Sequence, residues 1–562
     1  MWKKALIGMG ISLMLLASFA WFNRTAIFMF VISNTGKTDV SPNAPVEWLA
    51  GPVEPVKNGS DRPPNIVFIL ADDLGINDIS TFGGGVAGGK VPTPNIDRLA
   101  ARGATFINAY AGAATCAPSR AMLMTGRYPT RTGQEFTPAP NSMARVVARV
   151  TDNDQVEYGL PPLRPNPAHD EADIPFIEKG LPGEEVTVAE VLQSAGYHTV
   201  HIGKWHLGRS EPSRAVSQGF DESLMMASGL FLKEDDPEAV NAKLDFDPLD
   251  KFLWARMQHA VDFDQEGGAL TEEWFEPNGY LTDYFTDEAL NVIENNKNRP
   301  FFLYLAHWGP HTPLQATRED YEAVGEIEPH RLRVYAAMVR AVDRSVGRVL
   351  DKLEQEGIAE NTIVIFSSDN GGAGYIGLSE INQPYRGWKS SFFEGGIRVP
   401  FFVSWPDRIS PGEVISEPVS HVDLLPTLTA VAGTDLPSGV VIDGQNIMPL
   451  AIGEAAAVQR PDDAIYWSSG FYKAVRAGDW KLQIDERQNK QWLFNLAQDP
   501  TEQIELSATQ PEKLAELKKL IDQHWRNARP PLFPHAMEWP VRIDKTSTDP
   551  YDTSDEYVTW AN

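Results

Sequence analysis

Two short apolar runs constrain this chain more than any other feature. Asn65 to Leu70 (N-I-V-F-I-L) ends in Ala71-Asp72-Asp73-Leu74-Gly75, and Asn361 to Phe366 (N-T-I-V-I-F) ends in Ser367-Ser368-Asp369-Asn370-Gly371-Gly372. Neither alternates with polar residues, so each suits a strand covered on both faces, as in a parallel sheet. Tyr197 to Ile202 and Pro300 to Ala306 read the same way, ending in Gly203-Lys204-Trp205-His206 and near His307 and His311. Helical stretches at 95–103, 186–195, 283–297 and 331–356 alternate with them. The pattern predicts an α/β domain with a large, mainly parallel sheet flanked by helices. Ligands in such folds bind beyond the carboxyl ends of the strands, which is where these polar residues fall.

The texture changes at Ile465 to short alternating runs, which predict a smaller antiparallel sheet, followed by a helix at 511–526. The expected organisation is a main domain at 63–460 with insertions at 135–180 and 208–275 over the sheet edge, a C-terminal subdomain at 461–530, and an extended tail at 531–562. At the start, Lys3 and Lys4 precede an apolar run from Ala5 to Phe22 and a second from Ala26 to Ile32. A basic head followed by an apolar segment predicts an export signal over residues 1–33, with Ser18-Phe19-Ala20 as a weak cleavage site. The run is also close to the lower limit for a membrane span, so anchoring through residues 5–32 stays open. Either outcome exports the remainder, to a periplasm or outside the cell. Residues 34–62, rich in Pro, Asn, Gly and Ser, read as a linker.

Composition narrows the chemistry. Cys116 is the single cysteine among 562 residues, which excludes an intramolecular disulfide and a thiolate zinc site. A formal net charge of −27 argues against nucleic acid as a partner. It also means that an anionic substrate has to be captured by a local basic pocket against the overall field.

Asp72, Asp73, Asp369 and Asn370 supply hard oxygen ligands at the ends of two expected strands. Adjacent acids there are costly unless a cation or an arginine neutralises them, and an all-oxygen set suits Ca²⁺ or Mg²⁺ before Zn²⁺. Each pair alone also fits an ordinary turn or helix cap. Arg120, Lys204, Lys389, His206 and His311 are the positive complement. A divalent cation with several fixed cations would bind a tetrahedral oxyanion, and a nearby histidine or lysine could protonate a leaving oxygen. Pro118 to Met124 reads as a helix ended by Gly126, which places Cys116 at its N-terminus. By itself such a cysteine is as readily a small buried hydrophobe.

Cys116-Ala117-Pro118-Ser119-Arg120, with Leu123, Thr125 and Gly126, resembles the sulfatase signature C-x-P-S-R-x-x-L-x-T-G without a departure. Further segments are similar to the same family in order: Gly203-Lys204-Trp205-His206-Leu207-Gly208, Pro310-His311-Thr312-Pro313, Ser368-Asp369-Asn370-Gly371-Gly372, Arg386-Gly387-Trp388-Lys389 and Glu394-Gly395-Gly396-Ile397-Arg398. The resemblance spans roughly residues 62–505. It implies an alkaline-phosphatase-like fold and a sulfuric ester hydrolase whose Cys116 is oxidised by a maturation enzyme to formylglycine. The hydrate of that aldehyde would be the nucleophile. It implies a cation, Ca²⁺ or Mg²⁺, held by Asp72, Asp73, Asp369, Asn370 and the converted Cys116. Arg120 and Lys204 would stabilise the diol, Asp369 would be the base, His206 would take the second hydroxyl's proton, and His311 and Lys389 would hold sulfate and assist the leaving oxygen.

A phosphonate monoester or phosphodiester hydrolase on the same fold is the alternative, and an inactive binding homologue a more distant one. The expected substrate is a sulfated carbohydrate, with aryl sulfates as surrogates. Trp254, His259, Trp274, Phe275, Arg145, Arg149 and Arg164 are candidate subsite residues, although packing of the insertions would explain the aromatics equally well.

Overall fold

β1 (Asn65–Ala71) lies at the centre of a ten-stranded sheet whose order fixes the rest of the molecule. Its neighbours are β7 (Phe301–Ala306) and β8 (Thr362–Ser368), both parallel to it. The sheet runs outward on one side through β3 (His198–Gly203), β4 (Glu222–Ala227), β5 (Arg256–Val261) and β6 (Leu270–Thr271). On the other side it runs through β9 (Phe401–Ser404), β2 (Ala104–Phe106) and β10 (Glu413–Ile415). The inner five strands, β8, β1, β7, β3 and β4, are parallel, and antiparallel pairing begins at β8–β9 and at β4–β5. This computed structural model describes residues 40–56, 62–141, 143–150, 159–227, 229–233, 235–242, 255–262, 270–271 and 273–562. The expected export or anchor segment, 1–33, lies outside them. No helix among the described residues is long and apolar enough to cross a membrane.

The absence of polar alternation in β1 has a direct structural cause. Val67, Ile69 and Ala71 enter one core with α1 (Pro94–Ala101), α4 (Leu281–Asn296) and α5 (His330–Gln355). Ile66, Phe68 and Leu70 enter a second core on the opposite face with α2 (Cys116–Thr125), α3 (Val188–Ser194) and α6 (Leu424–Val431). β7 and β8 divide their side chains in the same way. A strand buried on both faces cannot afford a polar side.

Residues 208–275 are not only an insertion. Within their described part, β4 extends the parallel sheet beside β3, and β5 and β6 follow it. β4 was hidden in the sequence because it opens with Glu222 and Ser223, both buried. Glu222 Oε2 is 2.8 Å from His198 Nε2, and Ser223 Oγ is 2.9 Å from His201 Nδ1, so paired polar groups replace the apolar ones expected there.

Residues 40–56 also differ from a free linker. Trp48 is buried, its indole N–H donates to Glu288 at 2.7 Å, and Leu49 N donates to Glu222 at 2.8 Å.

The C-terminal sheet is β11 (Ala464–Ser469), β12 (Tyr472–Ala477), β13 (Trp480–Asp485) and β14 (Lys490–Asn495), antiparallel in sequence order, with α7 (Pro511–Trp525) against it. The tail does not hang free. β15 (Met537–Arg542) and β16 (Tyr557–Ala561) pair as antiparallel strands, and buried Trp560 packs 5.3 Å from the ring of Phe392.

Candidate active site

Strand register builds the site. Ala71 lies opposite Ser368 and Leu70 opposite Ala306, so Asp72, Asp369 and His307 leave the sheet side by side. Ala306 lies opposite Gly203, which brings Lys204 to the same edge. Gly203 has φ 107°, and a Cβ there would fall 2.0 Å from Ala306 O, so no other residue fits this exit. α2 then aims its N-terminus, with Cys116, at the same edge, and Gly126 ends the helix in the left-handed region at φ 64°. Asp73, His206 and Ser390 also take left-handed backbone, with φ 62°, 65° and 68°. For non-glycine residues this costs about 1 kcal/mol each, a strain concentrated where side chains have to be aimed.

Arg120 is fully buried and ties three elements together. Its Nε donates to Asp369 Oδ2 at 2.8 Å, its Nη1 to Lys204 O at 2.6 Å, and its Nη2 to Asp72 Oδ2 at 3.1 Å. Lys204 Nζ is 2.5 Å from Asp72 Oδ2. Lys389 Nζ is 2.7 Å from Asp73 Oδ1, 2.9 Å from Asp73 Oδ2 and 3.3 Å from Cys116 Sγ. Cys116 Sγ lies 3.4 Å from Asp72 Oδ1. Three carboxylates therefore face three cations around one sulfur atom.

Burial pushes the carboxyls of Asp72 and Asp73 up, but Lys204 and Lys389 respectively, with His311, pull both below the ordinary range, and they stay ionised. Burial also opposes the charge on Lys389, yet Asp73 and its other neighbours hold it well above the usual lysine range. Burial, followed by the charges of Asp369 and Asp72, pushes the Cys116 thiol up, so it is a protonated thiol and not a thiolate. His206 is held well below the usual range by burial and then by Lys204 and Arg120, which leaves a neutral imidazole able to accept a proton. Its Nδ1 is buried with no hydrogen-bond partner among the described residues.

The residues present fit a hard cation. Ligand atoms of Asp72, Asp73, Cys116 and His311 lie within 4.8 Å of one another. Asn370 donates through Nδ2 to Asp73 Oδ1 at 2.7 Å, which leaves Asn370 Oδ1 a buried acceptor with no partner among the described residues. Asp369 Oδ1 is 3.4 Å from Asp73 N. An orphaned amide oxygen among carboxylates is the donor set of a calcium or magnesium site.

His311 Nε2 is 3.6 Å from Asp73 Oδ2, and its ring lies 4.2 Å from that of Trp308. His307 points away, its Nε2 2.8 Å from Ser345 Oγ on α5, and burial lowers its pKa to about 3. The structure adds Tyr375, whose hydroxyl donates to Asp73 Oδ2 at 3.2 Å. Its one sequence signal is a position six residues past Asp369. Of the candidate subsite residues, His259 and Phe275 are core: His259 is buried 5.1 Å from the Trp48 ring, and Phe275 pairs with Met257. Arg145 and Arg164 are exposed and lie with Asp170 and Glu538. Trp274 lies beneath Arg256. Trp254 and the Arg149 side chain lie outside the described residues.

A parallel-sheet edge carrying buried carboxylates, fixed cations and an oxyanion-sized charge pattern belongs to a hydrolase of anionic esters. The family described as Sulfatase matches residues 64–434, and that described as N-sulphoglucosamine sulphohydrolase, C-terminal, matches residues 386–529. The N-acetylgalactosamine-6-sulfatase of Mus musculus is 32% identical over 432 residues, covering 76% of this chain and 73% of its own. The arylsulfatase of Hemicentrotus pulcherrimus is 31% identical over 428 residues, covering 74% and 67%. Among solved structures, Ps i-CgsB superposes with a TM-score of 0.66 at 30% identity, covering 84% of this chain and 95% of its own, and is also known in complex with k-i-k-neocarrahexaose. The chain belongs to the sulfatase family and is a sulfuric ester hydrolase. Its fold is the alkaline-phosphatase-like one expected.

Proposed function

We propose that this enzyme hydrolyses sulfate esters of carbohydrates with a formylglycine made from Cys116 and a calcium ion, with magnesium as the alternative ion. One observation carries the reading: the Cys116 sulfur is a protonated thiol set among Asp72, Asp73 and Lys389, where a polar nucleophile belongs and a thiol gains nothing. A cation held by Asp72, Asp73, Asp369, Asn370 and residue 116 would supply Lewis-acid polarisation of a sulfate oxygen. A formylglycine hydrate would supply one hydroxyl to attack sulfur and a second whose ionisation expels sulfate.

The chain's own residues do the rest. Arg120 holds Asp72 and Asp369 at fixed separation, and with Lys204 it stabilises negative charge at residue 116. Asp369 takes the proton of the attacking hydroxyl, and neutral His206 takes that of the second. Lys389 and His311 bind the sulfate, and one of them protonates the leaving oxygen. Support for a carbohydrate comes from relatives named for N-acetylgalactosamine 6-sulfate and from the neocarrahexaose complex of Ps i-CgsB.

Export through residues 1–33, an encounter with a formylglycine-generating enzyme, and the division at 63–460, 461–530 and 531–562 complete the proposal. The sulfatase family itself supports the maturation step.

Cys116→Ala tests the mechanism. Turnover of p-nitrophenyl sulfate should fall by at least about 10³-fold, as for loss of a nucleophile, while the thermal midpoint stays near that of the parent. Substantial residual turnover would overturn the proposal.

A further inference from the structure

Beyond the sulfate-binding residues, the wall that carries His206 continues into a second cationic feature. Arg209 lies three residues past His206, immediately after Gly208, and its charge is among those that hold the His206 imidazole neutral. Its guanidinium sits 5.3 Å from the centre of the Phe176 ring. Arg256, at the start of β5, lies 4.9 Å above the Trp274 ring. Neither guanidinium forms an ion pair or a hydrogen bond among the described residues, and Arg256 Nε is buried without a partner. Both side chains are half-buried. Burial, followed by the like charge of Arg256, lowers the Arg209 pKa to about 10.

This arrangement is costly in a ligand-free protein. Two partly desolvated like charges repel, and neither gains a carboxylate among the described residues. Cation–π contacts hold the two planes in place but leave their N–H edges unused. A guanidinium edge with free donors is shaped for a carboxylate or a sulfate, which it takes through paired hydrogen bonds. Because Arg209 is on the His206 strand exit, an anion held there belongs to the part of the substrate beyond the scissile sulfate.

We infer that Arg209 and Arg256 form a subsite for a second anionic group, a sulfate or a carboxylate, on the sugar next to the one that is desulfated. This rests on the carbohydrate reading above. It makes the enzyme selective for polyanionic glycans over singly charged esters.

The test compares the parent with Arg209→Gln and Arg256→Gln on four substrates. These are p-nitrophenyl sulfate and three disaccharides that share one sulfated sugar, with a neighbour that is neutral, a uronate or itself sulfated. Each disaccharide is also assayed as an inhibitor of p-nitrophenyl sulfate turnover. Each variant should lose about 10- to 100-fold more kcat/KM on one charged-neighbour disaccharide than on the neutral-neighbour one or p-nitrophenyl sulfate, the size of a charge-assisted hydrogen bond. The arm that loses more identifies the anion as carboxylate or sulfate. The corresponding Lys variants should recover part of that loss. Equal losses on all four substrates, or none, would overturn the subsite while leaving the carbohydrate reading intact. A parent that turns over p-nitrophenyl sulfate but neither cleaves nor is inhibited by any disaccharide would overturn the carbohydrate reading and the subsite with it.

Discussion

Asp73 is the most heavily used side chain of the site. It meets Lys389, His311, Asn370 and Tyr375 through two oxygens, from a left-handed backbone. Tyr375 is therefore a positioning residue: its hydroxyl holds Asp73 Oδ2 and lies 3.5 Å from Lys389 Nζ. Tyr375→Phe should lower kcat by about 5-fold, the worth of one hydrogen bond of about 1 kcal/mol. KM for p-nitrophenyl sulfate should change less, and a steady-state assay of both constants checks the split. Asp72, Asp73, Asp369, Asn370, Cys116 and Arg120 were legible because they sit at the ends of contiguous apolar runs or inside one short helix. Tyr375 was not, because the turn that follows Asn370 brings it back to Asp73 and leaves no periodic trace. For His259 and Phe275 the packing explanation is the one that holds. An aromatic in an irregular stretch looks free, whereas both fill the space under the docked 40–56 segment and the sheet edge.

At the scale of elements, the inner strands and their helices were legible to within a residue or two, since a strand buried on both faces leaves a continuous apolar run. β4 shows the limit: His198 and His201 satisfy Glu222 and Ser223 from the neighbouring strand, and a pairing between strands is invisible within one of them. Helix α1 depends on a cap from elsewhere in the chain. Asp343 of α5 accepts from Asn95 N and Ile96 N, both at 2.9 Å, and from Asn95 Nδ2 at 2.8 Å, in place of a side-chain cap from Thr93. A carboxylate there also complements the helix dipole. Asp343→Ala should therefore destabilise the fold by about 2 kcal/mol. Chemical denaturation reads that loss, and turnover per folded molecule should be retained.

For the molecule as a whole, acid is the weak direction. Burial depresses the pKa of His201, His307 and His524 to about 3, and that of His421 to about 4. The unfolded chain binds these protons below about pH 6.5, and the folded chain refuses them until far lower. Stability is therefore complete above that value and is lost as pH falls, by on the order of 1 kcal/mol per histidine per pH unit. A thermal midpoint measured from pH 7 to pH 4.5 should fall steeply, and His524→Phe should make the fall shallower. Wrapping by the tail acts at the same scale. Ser547 Oγ donates to Tyr375 O at 2.9 Å and Ser547 N to Gly374 O at 3.1 Å, so the far end of the chain braces the turn that bears Tyr375. The lone buried cysteine also has a practical side. Since Cys116 is the single thiol in 562 residues, the proposed conversion to formylglycine implies one sulfhydryl in every unmatured molecule and none in a matured one. Titrating the denatured protein with a chromogenic disulfide thus counts the immature fraction directly, and specific activity plotted against that count should extrapolate to zero at one thiol per chain.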